Sequence, residues 1–398
     1  MLKRYFLLTI ALICLDFIAY TQDTEKLTNA EGSAYEFEIL RSLERRDVEN
    51  QGRTSTCWSF SSLSFFEAEV MRITGRDVAL SPMYVVHHTY EDKAEKYVRM
   101  HGNVNFAAGG AFHDAAYVID EYGIVPKDVY LGKEEGAKYH DHGEMDDVLK
   151  AAVDAIINRK KPSTKWAEMI SDILDNYLGE LPESFEYDGK IYTPKEFAGT
   201  MGLNMEDYVS ITSFSHHPFY ETFDIEVPDN WMNKASYNLP LDEMMEVFND
   251  AVDNGYSIAW GSDISEKGFN YRAGLAVTPK DQSTLSVLGE DNKNFNDAGA
   301  FKYGKAFQQP VEELEITQEL RQEAFDNYET TDDHAMHVIG VAKDQNGKRY
   351  YIVKNSWGKT NQCDGYFYAS EAFVKYKTIN FLVHKDALSK TIRKKLGI

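Results

Sequence analysis

Residue spacing changes once along this chain, and that change limits the fold more than any other feature. Behind Cys57, the small and apolar residues Phe60, Leu63, Ser64, Ala68 and Met71 recur at helical spacing, so a buried helix is expected to start at or near the cysteine. Ser81-Pro82 opens a second helix, Met83 to Met100. A third, Phe112 to Tyr122, is closed by Gly123 with Pro126 beyond it. A charged helical pattern runs from Glu134 to Leu178 with a break at Lys161-Pro162, and Pro194 stands in the first turn of a further helix expected over 193–204. After Tyr208 the period falls to two. Val209 to Phe214 alternates, Tyr256 to Gly261 reads as a buried strand, and Ala276-Val277 as a short one. Helices are expected over Leu241 to Asn254 and Thr317 to Asn327, then strands over His334–Ala342, Arg349–Asn355, Gly365–Ala369 and Thr378–His384. A helical first half, a strand-rich second half and a long helical insertion between them make an α+β protein. The pattern divides the chain into an N-terminal arm and helical lobe (23–130), the insertion (131–205) and a strand-rich lobe (206–398).

Residues 1–22 are of a different kind. Lys3 and Arg4 precede an apolar run from Tyr5 to Cys14, and the chain turns small and polar at Ala19 to Gln22. That is the pattern of a secretory signal peptide, and the bulky Ile13 before Cys14 fits lipoprotein anchoring poorly. Export, periplasmic or secreted, is the expectation. Downstream of it only Cys57 and Cys363 remain, too few for a disulfide framework, so the core must supply stability. A net charge of −22 argues against a surface that tracks nucleic-acid phosphates.

Cys57 follows turn and capping residue types, Gly52 and then Thr54, Ser55 and Thr56. A thiol at a helix N-terminus meets unpaired N–H groups and the positive end of the dipole, which favour thiolate. The alternative is a buried structural cysteine. A nucleophile needs a base and a group to orient the base. Asp333-His334-Ala335-Met336-His337 offers two candidate bases at a strand start. Alternation puts His334, Met336 and Val338 on one face and Ala335, His337 and Ile339 on the other. Asn355, in Lys354-Asn355-Ser356-Trp357-Gly358, can accept from the imidazole Nδ1–H, with Trp357 shielding that bond. The Gln51 side-chain NH₂ and the Cys57 backbone N–H can together face an oxyanion.

Gln51, five residues, Cys57-Trp58-Ser59-Phe60, then Asp333-His334-Ala335, then Asn355-Ser356-Trp357-Gly358 is an order that resembles the papain family of cysteine peptidases. The resemblance implies a two-lobed fold with a helical left lobe and a β-barrel-like right lobe. It also implies Cys57 as nucleophile, His334 as base then acid, Asn355 as its orienter and Gln51 in the oxyanion hole. Gly109-Gly110 is similar to the family's glycine pair for the substrate backbone, and Trp357 joins it in contacting substrate. No cofactor or metal is called for. Thr54-Ser55-Thr56 stands where the disulfide-bonded relatives carry Cys-Gly-Ser, no inhibitory pro-segment is evident, and 277 residues (334 − 57) separate Cys57 from His334. These departures resemble the bleomycin hydrolase and aminopeptidase C branch, as does Gly255 to Asp263. That branch implies an aminopeptidase acting on peptides, assembled as a homo-hexamer, with its C-terminal tail in the cleft. The tail here, ending Lys394-Lys395-Leu396-Gly397-Ile398, is short, so an open cleft and endopeptidase action stand as the alternative. A binding protein on a dead peptidase scaffold is the remote one.

Other clusters read more plainly. His140-Asp141-His142 is taken as a solvated turn, and His87-His88 and His216-His217 as surface or cleft-rim residues. The aromatic tract from Phe214 to Trp231 is taken as core in preference to a substrate pocket.

Overall fold

The computed structural model describes residues 27–133, 136–289 and 300–398; the expected signal peptide lies outside them. The first half holds helices α1 (Cys57–Thr74), α2 (Pro82–Arg99), α3 (Phe112–Glu121), α4 (Gly143–Ile157), α5 (Trp166–Leu178) and α6 (Pro194–Gly199). Every residue of α1 from Cys57 to Val70 is buried, so its serines must be satisfied internally. Ser59 Oγ donates to the Pro82 carbonyl (2.8 Å) and Ser62 Oγ to that of Trp58 (2.6 Å). Gly75, left-handed at φ 70°, ends the helix by donating to Met71 O. Ser81 caps α2 by accepting the Tyr84 N–H, with Pro82 at its first position. One apolar cluster unites all six helices through Leu63, Val85, Val118, Leu149, Leu174 and Phe197.

The strands, in chain order, are β1 (Phe37–Ser42), β2 (Phe185–Tyr187), β3 (Lys190–Tyr192), β4 (Tyr208–Thr212), β5 (Thr222–Asp224), β6 (Ala235–Asn238), β7 (Ile258–Ser262), β8 (Phe269–Asn270), β9 (Leu275–Ala276), β10 (Ser286–Leu288), β11 (Phe301–Tyr303), β12 (His334–Asp344), β13 (Arg349–Lys354), β14 (Tyr366–Ser370) and β15 (Thr378–His384). Eleven of them form one mixed sheet in the order β5-β6-β4-β15-β7-β12-β13-β14-β9-β8, with β1 added on β12. The path does not close among the described residues, so the barrel-like lobe is an open sheet. Helices α7 (Leu241–Asp253), α8 (Gln318–Asp326), α9 (Glu371–Lys377) and α10 (Lys390–Leu396) complete the strand-rich half.

Strand β12 is the hinge of the molecule. His334–Val338 pairs with β7, while Gly340–Asp344 pairs with β1. Its alternation holds: Met336 and Val338 enter the cluster of Trp260 and Phe248, whereas Ala335 joins the helical core. Ala259 and Ala335 join that core from the sheet, beside Tyr208 and Leu382, and their small side chains let α1 approach closely. Truncating a fully buried aromatic such as Trp260 or Phe248 would cost about 3–5 kcal/mol.

Several expectations are corrected. The helix expected over 193–204 is only α6, which ends at Gly199; Gly202 (φ 71°) lies just beyond it, and a 3₁₀ turn follows at Met205–Asp207. The pattern over 134–178 is helical only from Gly143, with the break at Lys161-Pro162 in place; 134–135 lie outside the described residues. The polar arm before Glu49 contributes β1 to the sheet.

Candidate active site

Cys57 is the first residue of α1 and is 8 % exposed. The turn ahead of it is built from short polar residues: Thr54 Oγ1 donates to Gln51 O (2.9 Å) and lies 2.6 Å from Thr56 Oγ1, while Ser55 takes φ 51°. No side chain caps this helix; the Ser59 N–H donates to Thr56 O (3.0 Å), and the Trp58 N–H faces the sulfur. The expected low thiol pKa does not hold for the resting site. Burial pushes it up to about 12, with the Asp229 and Asp332 charges adding to that, and the Ala335 and Trp58 N–H groups oppose the rise without matching it. The two cysteines are free; Cys363 sits beside Asn29, its sulfur 3.1 Å from that carbonyl.

His334, at the mouth of β12, is 2 % exposed. Its Nε2 donates to Asn355 Oδ1 at 2.7 Å, so the orienting bond is made at Nε2 and not at Nδ1 as expected. Asn355 Oδ1 is held in turn by the Ser356 N–H at 2.8 Å. That fixes the tautomer and leaves Nδ1, buried and without a hydrogen-bond partner, as the basic lone pair. His334 and Cys57 line the same cavity. The Trp357 ring lies over the imidazole, centroids 4.8 Å apart, where it shields the His334–Asn355 bond. Burial lowers the His334 pKa to about 4. Thiol and imidazole are therefore both neutral at rest. His337, the other candidate base, is turned beneath α1, where its Nδ1 meets Ser64 Oγ at 2.9 Å.

Gln51 is fully buried between the two halves. Its Oε1 accepts from Ser356 Oγ at 2.6 Å and its backbone N–H donates to Ser356 O at 2.8 Å, which aims the amide and leaves Nε2 unpartnered. Sequence reading missed Ser356, although it lies inside the quoted Asn-Ser-Trp-Gly run. The His140–His142 tract is not a solvated turn. It runs beside Arg53, whose N–H donates to His140 O (2.9 Å) and whose carbonyl accepts from the His142 N–H (3.0 Å). His142 is 3 % exposed, and a Cβ on Gly52 would stand 2.2 Å from His140 O, so the insertion pins the Gln51 loop.

The cavity holding Cys57 and His334 measures about 540 Å³ and includes Gly109 and Gly110. Trp58 Nε1 donates to Ala108 O at 3.0 Å, tying this loop to α1. A Cβ on Gly110 would stand 2.8 Å from the Trp58 ring, and one on Gly109 1.9 Å from Asp229 Oδ2. Asp229, Asp332 and Asp333 line the same space, and sequence reading singled out none of them for the site. A second cavity, about 920 Å³, opens beyond Gly52 and Trp357 and is lined by Phe269, Tyr271 and Arg272 among others. Ile398 lines neither: α10 sends Leu396 into the core of the strand-rich half.

The remaining histidines lie elsewhere. His87 is fully buried, its Nδ1 2.8 Å from Tyr130 OH, and His88 stacks on Tyr122 at 4.1 Å, so this pair packs inside the helical half and not on a rim. His216, His217 and Glu226 are the one group among the described residues whose ligand atoms could hold a metal ion. Gln322 Nε2 donates to His216 Nδ1, which puts the ring proton on Nε2 facing Glu226 and does not suit a ligand nitrogen there. Phe214 and Phe223 fill a small core with Ile379.

Residues 19–310 and 287–397 match the model of the Peptidase C1-like family. Aminopeptidase C of Listeria innocua is 24 % identical over 387 residues, covering 87 % of this chain and 81 % of its own length. Aminopeptidase C of Streptococcus thermophilus is 24 % identical over 396 residues, with 87 % and 82 % covered. Aminopeptidase E of Lactobacillus helveticus is 23 % identical over 396 residues, with 87 % and 83 % covered. The crystal structure of pepw from Lactobacillus rhamnosis superposes with a TM-score of 0.66 at 20 % identity, over 90 % of this chain and 84 % of that one.

Proposed function

The chain belongs to the Peptidase C1-like family, and on that premise we propose that it is a cysteine aminopeptidase in which Cys57, His334, Asn355 and Gln51 carry the chemistry. One observation supports the assignment of roles above the rest: His334 is clamped through Nε2 by Asn355, and its bare Nδ1 opens into the cavity that Cys57 lines. His334 Nδ1 takes the thiol proton as Cys57 Sγ attacks the scissile carbonyl. The resulting oxyanion is met by the Gln51 Nε2–H and the Cys57 N–H, both free to donate. His334 passes the proton to the leaving amine, and a thioester remains. Water, deprotonated by the same nitrogen, then releases the acyl group. Gly109, Gly110 and Trp357 contact the peptide on either side of the attacked bond.

Cleavage of the N-terminal bond follows the names of the relatives, Aminopeptidase C and Aminopeptidase E. The direct test uses a peptide with a free amine and its N-acetylated twin. The free one is cut, the blocked one is not, and Cys57→Ala cuts neither while keeping the parent circular dichroism. Activity surviving in Cys57→Ala ends this mechanism, and equal cleavage of both peptides ends the aminopeptidase assignment. Export through residues 1–22 and assembly into a homo-hexamer belong to the same reading; cell fractionation and light scattering read them out.

A further inference from the structure

The cleft wall beside Cys57 carries five aspartates against two cations, Arg53 and Lys150. Most of these charges are engaged. Lys150 pairs with Asp154 at 2.5 Å. Asp333 accepts the N–H groups of Ser265 (3.0 Å) and Ile264 (3.3 Å) and the Thr331 hydroxyl (2.8 Å), so it serves the start of β12. Asp229 is different. Its carboxylate lies flat against Gly109 and accepts only from Asn105 Nδ2, at 3.2 Å, among side chains. Buried Lys93 is near enough to favour its charge, yet the Lys93 ammonium donates to the carbonyls of Ala107 (2.8 Å) and Gly109.

Asp229 is also held firmly in place. Asn230 closes the loop through Ile225 O (3.1 Å) and both backbone groups of Lys234 (3.0 Å each). Trp231 Nε1 donates to Asp114 Oδ2 at 2.9 Å. Asp229 acts on Asp332 by like-charge repulsion, and both act on the Cys57 sulfur, so the three groups share one field. An independent sign that this cavity receives a ligand is His334 Nδ1, 2 % exposed and unpartnered, in the same wall.

We propose that Asp229, with Asp332 beside it, binds the free α-ammonium group of the peptide substrate and thereby makes the N-terminus the recognised feature. This rests on the cysteine peptidase reading and names the specificity element of that site. Burial holds both half-buried carboxyls above the usual carboxylate range, and repulsion from Asp229 adds to that at Asp332. A positive group inserted between them relieves that repulsion, and an acetylated terminus cannot. A pocket built around a charge partner rejects the analogue that lacks it far more strongly than an apolar pocket rejects a missing methylene.

The test measures kcat and KM of the full-length protein, Asp229→Asn and Asp332→Asn on the free-amine peptide and its N-acetyl twin. Labelling of Cys57 by a thiol-reactive epoxide reports an intact centre in each. The parent should prefer the free amine by about 10²-fold or more. Asp229→Asn should lose most of that preference, chiefly in KM and only on the free-amine peptide, while still labelling at Cys57. Both variants keeping the parent's preference would overturn the proposal, although the peptidase reading would stand. If Asp229→Asn does not fold, Asp332→Asn and a measurement on the parent decide: an amino-acid amide must protect Cys57 from the epoxide better than its N-acetyl form does, and equal protection overturns the idea. A parent without preference fails earlier, at the aminopeptidase assignment itself.

Discussion

The mouth and the middle of β12 carry two buried histidines three residues apart, and they behave differently. In the middle, His337 is fully buried, its Nδ1 meets Ser64 at 2.9 Å and its Nε2 has no hydrogen-bond partner, so the ring is a strut between α1 and the sheet. At the mouth, His334 has one nitrogen fixed by Asn355 and the other left open toward Cys57's cavity. Burial depresses both imidazoles, so neither burial nor pKa separates them. Each ring keeps one unpartnered nitrogen, and what separates them is place: only His334 lines the cavity that Cys57 lines, and only His334 is held by Asn355.

The hardest way to break this comparison is His334→Ala against His337→Asn. The first should reduce kcat by about 10³-fold or more, as loss of a catalytic base does. The second should leave kcat near the parent value and cost about 1–3 kcal/mol of stability, because Ser64 loses its partner. Comparable kcat losses in the two would erase the distinction. A smaller effect sharpens it from the oxyanion side. Gln51→Ala should cost about 10²–10³-fold in kcat, and Ser356→Ala, which frees the Gln51 amide without removing it, should cost less. The smallest effect is on stability. Unfolded imidazoles titrate near 6.5, whereas His334 titrates at about 4 and His337 well below its ordinary value. The unfolded chain therefore binds more protons below pH 6.5, and stability should be full above that and fall as pH drops toward 4. Urea midpoints across that range should decline less steeply in His337→Asn than in the parent.

Much of this was legible because it is local. Cys57 begins α1 as its spacing requires, and the alternation along β12 puts Met336 and Ala335 in different cores. The four candidate residues were readable from their order and types. What was not legible depends on contacts across hundreds of residues. Nothing in Glu36 to Ser42 announces that β1 will pair with β12. His140 to His142 looks solvated until Arg53 docks beside it. The thiol was misjudged because a helix terminus is visible in sequence, while burial and the Asp229 and Asp332 charges are not. One miss had a signal: Asp188-Gly189, both at positive φ, turns the β2–β3 hairpin, and Asp-Gly between short strands is a strong hairpin cue.

The bond from Ser356 to Gln51 joins residues 305 apart in the chain. At roughly 5–20 residues per second of synthesis, the Gln51 amide waits about 15–60 s for the hydroxyl that aims it. On the proposed roles, throughout that interval the thiol has emerged but its base, its orienter and its oxyanion donor are not assembled. A nascent chain of this protein is therefore harmless to its neighbours, and the moment it becomes able to cut is set by the arrival of its last strands.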